Sequence, residues 1–221
     1  MIRARQDRRI SRQFILNIVS TQPPSPRPAT KPSLLAGPAI LCLLLMMVHM
    51  AISGGRIAVS LTALQLGRST FEVGILIAVF ALLPALLSVK AGQLLDKIGP
   101  WQPMRACVLT VIVGTILPLL WQDLVSLILS AICIGIGHMV FQIAIQRQLG
   151  LGTNEERMRN FSWLSLSLAT SGLIGPLVTG ISIDQIGHRF VFGLLSLGPI
   201  LSFIGLYKIR AALLASHVKV S

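Results

Sequence analysis

The sequence predicts an all-α membrane protein with six transmembrane helices, and three observations carry the prediction. Charged residues make up 12% of the chain, about half the share of a soluble domain. Mean hydropathy is +0.79. The apolar residues gather into six runs of span length, where helices satisfy every backbone polar group within the segment and irregular chain facing lipid would not.

Residues 1–33 read as a basic, proline-rich cytoplasmic tail. Arg3, Arg5, Arg8, Arg9, Arg12, Arg27 and Lys31 alternate with Pro23, Pro24, Pro26, Pro28 and Pro32, a composition that keeps chain extended and solvated. The Arg-rich, acid-poor stretch through Phe14 and Val19 also fits a mitochondrial transit peptide or an amphipathic helix on the membrane surface, and these readings stay open.

The six-span region covers 34–210, followed by a cytoplasmic C-terminal tail over 211–221. Span 1 is expected over 34–66, with Pro38 suited to the first helical turn. That is about 50 Å of helix against a hydrocarbon core of roughly 30 Å, so it tilts or projects. The other spans are expected over 71–91, 104–121, 124–146, 161–183 and 190–207.

Orientation follows from the linkers. Lys90, Lys97, Arg105, Arg147, Arg157, Arg159, Lys208 and Arg210 fall on one side, and Arg68 and Arg189 on the other. Eight against two puts both termini in the cytoplasm. The formal net charge of +12 would suit a nucleic-acid binder, but these cations flank apolar runs and no aromatic–basic platform accompanies them, so lipid is the expected partner and nucleic acid is not. Cys42, Cys107 and Cys133 lie inside apolar runs as small hydrophobes, with no metal-ligand spacing; no metal, cofactor or disulfide is expected.

The linker between spans 2 and 3 contains Gly92-Gln-Leu94-Leu-Asp96-Lys97-Ile-Gly99. Gly92 and Gly99 suit a tight helix exit, where a missing side chain permits left-handed backbone. Asp96 at a helix C-terminus opposes its own helix dipole and calls for a cation or a neighbouring helix N-terminus. This stretch resembles the G-x-L-x-D-[RK]-x-G signature of the major facilitator superfamily, in the loop where that signature belongs. Span 5 adds Ser171-Gly172-Leu-Ile-Gly175-Pro176-Leu-Val-Thr179-Gly180, similar to the G-x3-GP-x2-GG element of many antiporters of the superfamily, with Ser171 and Thr179 in place of two glycines. The likeness spans residues 34–207. The chain departs from the pattern at Pro100-Trp101, where a basic pair usually follows, and in span 4, where the arginine of drug antiporters is absent.

The resemblance implies the N-terminal half of a transporter built from two six-helix bundles, moving a small solute by alternating access, with efflux as one direction. It implies a conformational latch at Gly92, Leu94, Asp96, Lys97 and Gly99. It also implies a partner, either a second transporter half or another copy, and a home in the bacterial cytoplasmic (inner) membrane.

Polar residues inside the spans are the candidate cavity. His49, Ser53 and Arg56 follow a helical stripe on span 1, and His138, Gln142 and Gln146 another on span 4. A charge in a span costs on the order of 2.5–3.5 kcal/mol by insertion scales, which marks Arg56 as functional unless it snorkels to the interface. The span 4 stripe fits a hydrogen-bonded seam or a solute site equally. Ser171, Gly172, Gly175, Pro176 and Gly180 read as a helix-packing ribbon, with Pro176 as a hinge. Enzyme chemistry is not expected, since Ser171 with His138 is too thin a constellation for a membrane hydrolase. The rival reading is a truncated or regulatory six-helix protein with no transport activity of its own.

Overall fold

The computed structural model describes residues 37–210, so the proposed tails over 1–33 and 211–221 lie outside the described residues. Five helices follow one another: α1, Pro38–Gln65; α2, Thr70–Ile98; α3, Trp101–Leu120; α4, Leu124–Leu149; and α5, Asn154–Lys208. All five are long and apolar enough to cross a membrane.

The count differs from the six expected. The predicted spans over 161–183 and 190–207 fall on one stretch of 55 helical residues, about 80 Å of helix if it were straight. It is broken at Gly187, whose φ of 85° and ψ of 167° are non-helical. No linker of ordinary loop residues separates the two limbs, because one glycine in a region closed to other residues suffices to turn the chain. Elsewhere the helices overrun the apolar runs. α2 continues seven residues past 91, and α5 begins at Asn154, well before 161. Hydropathy marks the lipid-crossing part of a helix and misses its solvated ends.

Those ends carry caps. Ser69 with Glu72, Asp123 with Ser126, and Thr153 with Glu156 form reciprocal capping boxes at the starts of α2, α4 and α5. In the short turn before α4, hydrogen bonds from Ser126 hold the Asp123 carboxyl below its usual range. Arg189 donates to the carbonyls of Leu119 (2.7 Å) and Leu120 (3.2 Å), satisfying the open C-terminus of α3.

Neighbours in sequence are mostly not neighbours in space. α1 packs chiefly on α5, α3 on α4 and α5, and α2 on α4. Leu45, Val48 and Ala58 of α1 meet Phe80 of α2, Val108 and Val111 of α3, Ile134 and Phe141 of α4, and Phe192 of α5 in one core. The outer surface is apolar as well: on α2, Phe71 is 77% exposed and Val89 70%. Such a surface belongs in lipid.

A repeat emerges from the backbone. Gly99 has φ 74° and ψ 172°, close to the values at Gly187. Gly92, Asp96 and Gly99 recur 88 residues later as Gly180, Asp184 and Gly187. The first limb of α5 therefore ends as α2 does, on the same Gly/Asp/Gly spacing and the same glycine conformation.

Candidate functional site

Four helices enclose a cavity of about 570 Å³ near the middle of the bundle. α1 contributes His49, Ser53 and Arg56, α4 contributes His138, Met139 and Gln142, and α5 contributes Gly172 and Pro176. Phe80 and Pro84 close the α2 side. The rings of His49 on α1 and His138 on α4 stand 5.0 Å apart, tilted by 56°.

Each polar group is held differently. The Ser171 hydroxyl donates to the Ser167 carbonyl at 2.7 Å and meets His49 Nδ1 at 2.8 Å. Ser53 donates to the Ser171 carbonyl at 3.0 Å. His49 and Ser53 are thus tied to α5. His138 is only 6% exposed, and its Nε2 has no hydrogen-bond partner. Arg56 is exposed to the cavity, with its guanidinium carbon 6.0 Å from the Phe80 ring centroid, at the outer limit of a cation–π contact. Among the described residues, none that lines the cavity is acidic, and Arg56 has no carboxylate partner.

Gln146 departs from expectation. It lies two turns beyond His138 toward the end of α4 and lines a second cavity of about 500 Å³ with Gly92, Leu95, Asp96 and Arg147. The drift of a 3.6-residue helix and the length of α4 carry it out of the central site. The signature residues divide too. Gly92 is not at a helix exit; it sits inside α2, helical, with open space where a side chain would be. The helix ends at Gly99, which takes positive φ as Gly92 does not. Leu94 is exposed. Asp96 forms an ion pair with Arg147, and Lys97 lies in the last turn of α2.

The ribbon on α5 is partly a seam. A Cβ on Gly175 would collide with the Ser53 hydroxyl and lie 3.2 Å from Gly54 N. Gly172 and Pro176 face the cavity instead, and Gly180 faces open space. Backbone angles stay helical through Pro176; the break in α5 is at Gly187. Ser171 is buried and bonded to His49, not to His138.

Sequence reasoning missed Ile52, Phe80, Pro84, Gly135 and Met139 in the cavity wall. Apolar side chains there look like lipid-facing ones, so periodicity carries no signal for them. Arg189 had a readable signal, a guanidinium beside a short turn that must meet the end of another helix.

The arrangement offers one fixed positive charge, hydrogen-bonding groups on α1 and α4, and apolar walls, the kind of lining expected of a pocket for a small polar or charged molecule. Among the described residues, no three His, Cys, Asp or Glu side chains converge as a metal site would require. No match was found among curated proteins. The family model described as Major Facilitator Superfamily matches residues 40–217, most of the chain. With its long apolar helices, its Gly92–Gly99 signature and that match, the chain belongs to the major facilitator superfamily, whose members carry solutes across membranes.

Proposed function

We propose that this chain forms the N-terminal six-helix half of a secondary transporter, in which the two limbs of α5 cross the membrane separately and a small solute binds in the cavity between α1, α2, α4 and α5. The polar lining at His49, Ser53, Arg56, His138 and Gln142, midway along apolar helices, carries the reading. Such groups are costly against lipid and useful against a solute. A second six-helix half, a copy or a different one, covers the exposed side of Arg56. The pair Asp96–Arg147 acts as a latch at the cytoplasmic ends of α2 and α4, and the small-residue contact of α5 with α1 is the surface that shifts as the cavity changes sides. Both termini lie in the cytoplasm of a cell whose inner membrane holds the protein. The direction of transport, efflux included, belongs to the same proposal.

Alternating access is testable without knowing the solute. Place one cysteine at Met139 in a chain with Cys42, Cys107 and Cys133 replaced by serine. Treat whole cells and inside-out vesicles with a membrane-impermeant thiol reagent. A transporter exposes Met139→Cys to both preparations in turn. Labelling from one side alone, or from neither, favours the non-transporting rival.

A further inference from the structure

We propose that the central cavity selects a small monoanionic carboxylate with an apolar body, docked on Arg56 and His138. The inference rests on the transport reading for its setting, but it concerns the chemistry of the bound molecule.

Charge comes first. Among the described residues that line the cavity, Arg56 is the only Lys or Arg, and no Asp or Glu joins it. A guanidinium in a low-dielectric site attracts an anion strongly, and its planar fork matches a carboxylate through two parallel hydrogen bonds. One fixed cation offsets one negative charge. A dianion such as sulfate would leave a charge poorly compensated in a partly desolvated site.

Hydrogen bonding points the same way. His138 lines the cavity, is nine-tenths buried and has an unpartnered Nε2; in the Nε2–H tautomer that nitrogen is a donor lacking an acceptor, which a carboxylate would supply. Gln142, one turn along α4 in the same lining, adds an amide. His49 and Ser53 are already committed to Ser171. The free polar capacity in the lining therefore lies with Arg56 of α1 and with His138 and Gln142 of α4.

The remaining walls are Ile52, Ile57, Phe80, Pro84, Met139 and Pro176. They leave about 570 Å³, far more than acetate fills and suited to an aromatic or branched body.

The test uses the full chain in nanodiscs and measures binding rather than transport. Benzoate is titrated against benzamide, benzylammonium, acetate and inorganic sulfate, with intrinsic tryptophan fluorescence and thermal unfolding as readouts. Benzoate should bind saturably and raise the unfolding temperature. Its neutral and cationic counterparts, acetate and sulfate should each bind at least about tenfold more weakly. Arg56→Gln should weaken benzoate about tenfold or more, and Arg56→Lys should fall between, since charge remains but the fork is lost. Size-exclusion profiles establish that both variants are folded; if Arg56→Gln is not, Arg56→Lys and His138→Gln carry the comparison. Equal binding of benzamide and benzoate, unchanged benzoate affinity in the folded variants, or no anion binding at all would overturn the proposal. Two-sided labelling of Met139→Cys alongside any of those results would sink the anion site while leaving the transport reading intact.

Discussion

Asp96, in the last turn of α2, is ion-paired to Arg147, in the last turn of α4. The partner that Asp96 requires is thus inside the same bundle, on a helix reached after the whole of α3. Arg147 suits the negative end of its own helix, whereas Asp96 opposes its own and depends on the pairing.

With side chains 40% and 63% exposed, this pair contributes less than about 1 kcal/mol to fold stability. Its effect should fall on the balance between conformations. Asp96→Asn should leave thermal unfolding nearly unchanged and alter the two-sided labelling of Met139→Cys. The exchange Asp96→Arg with Arg147→Asp should restore the labelling pattern. A large drop in unfolding temperature in Asp96→Asn would show the pair to be structural instead.

The two signature glycines should separate by substitution. Gly99 adopts φ 74°, ψ 172°, and Gly187 adopts φ 85°, ψ 167°, a region essentially closed to residues with a Cβ. Gly99→Ala and Gly187→Ala should each cost about 1–3 kcal/mol. Gly92 is helical with open space around it, so Gly92→Ala should be neutral or gain up to about 1 kcal/mol from helix propensity. Thermal unfolding of the purified variants decides the matter, and equal costs at Gly92 and Gly99 would refute this account.

The apolar runs and the 2–3 signature were legible because span length, charge placement and a fixed glycine each leave a local trace. Helix ends were less so, since the capped turns at Ser69, Asp123 and Thr153 are solvated and hydropathy passes over them, although the S-x-x-E and T-x-x-E spacings at 69–72 and 153–156 were there to read. His49, Arg56 and His138 stood out because polar groups in apolar runs are rare, whereas Phe80 and Met139 did not. What no single-helix pattern contains is which helices meet. Ser171, a departure from the family's glycine, holds His49 from α5. That contact joins residues 122 positions apart, and periodicity has no access to it.

Orientation can be checked at Gln93 and Gln185, both exposed near the ends of α2 and of the first limb of α5. The excess of Lys and Arg on the 2–3 and 4–5 sides predicts that Gln185→Cys reacts with an impermeant reagent in whole cells while Gln93→Cys reacts only in inside-out vesicles. The reverse pattern would invert the whole arrangement, placing Asp96 and Arg147 outside the cell.

A close approach of α1 and α5 at Gly54 gives a last prediction with its own control. A Cβ on Gly54 would overlap the Thr179 hydroxyl and lie 2.8 Å from Leu195 Cδ2 and 3.1 Å from the Gly175 carbonyl oxygen. Gly54→Ala should therefore destabilise by about 1–3 kcal/mol, the usual cost of overpacking. Thr179 is fully buried, and its hydroxyl has no hydrogen-bond partner. Removing that hydroxyl should cost little, because no hydrogen bond is lost with it. Thr179→Ala in the Gly54→Ala background should then recover part of the lost stability, since the worst overlap disappears while those with Leu195 and Gly175 remain. Gly180→Ala, on the same helix one residue beyond Thr179 but facing open space, should be neutral or slightly stabilising, as at Gly92. Thermal unfolding of the four variants completes a double-mutant cycle with its control. Strict additivity of Gly54→Ala and Thr179→Ala would show that these two positions do not meet across the α1–α5 seam.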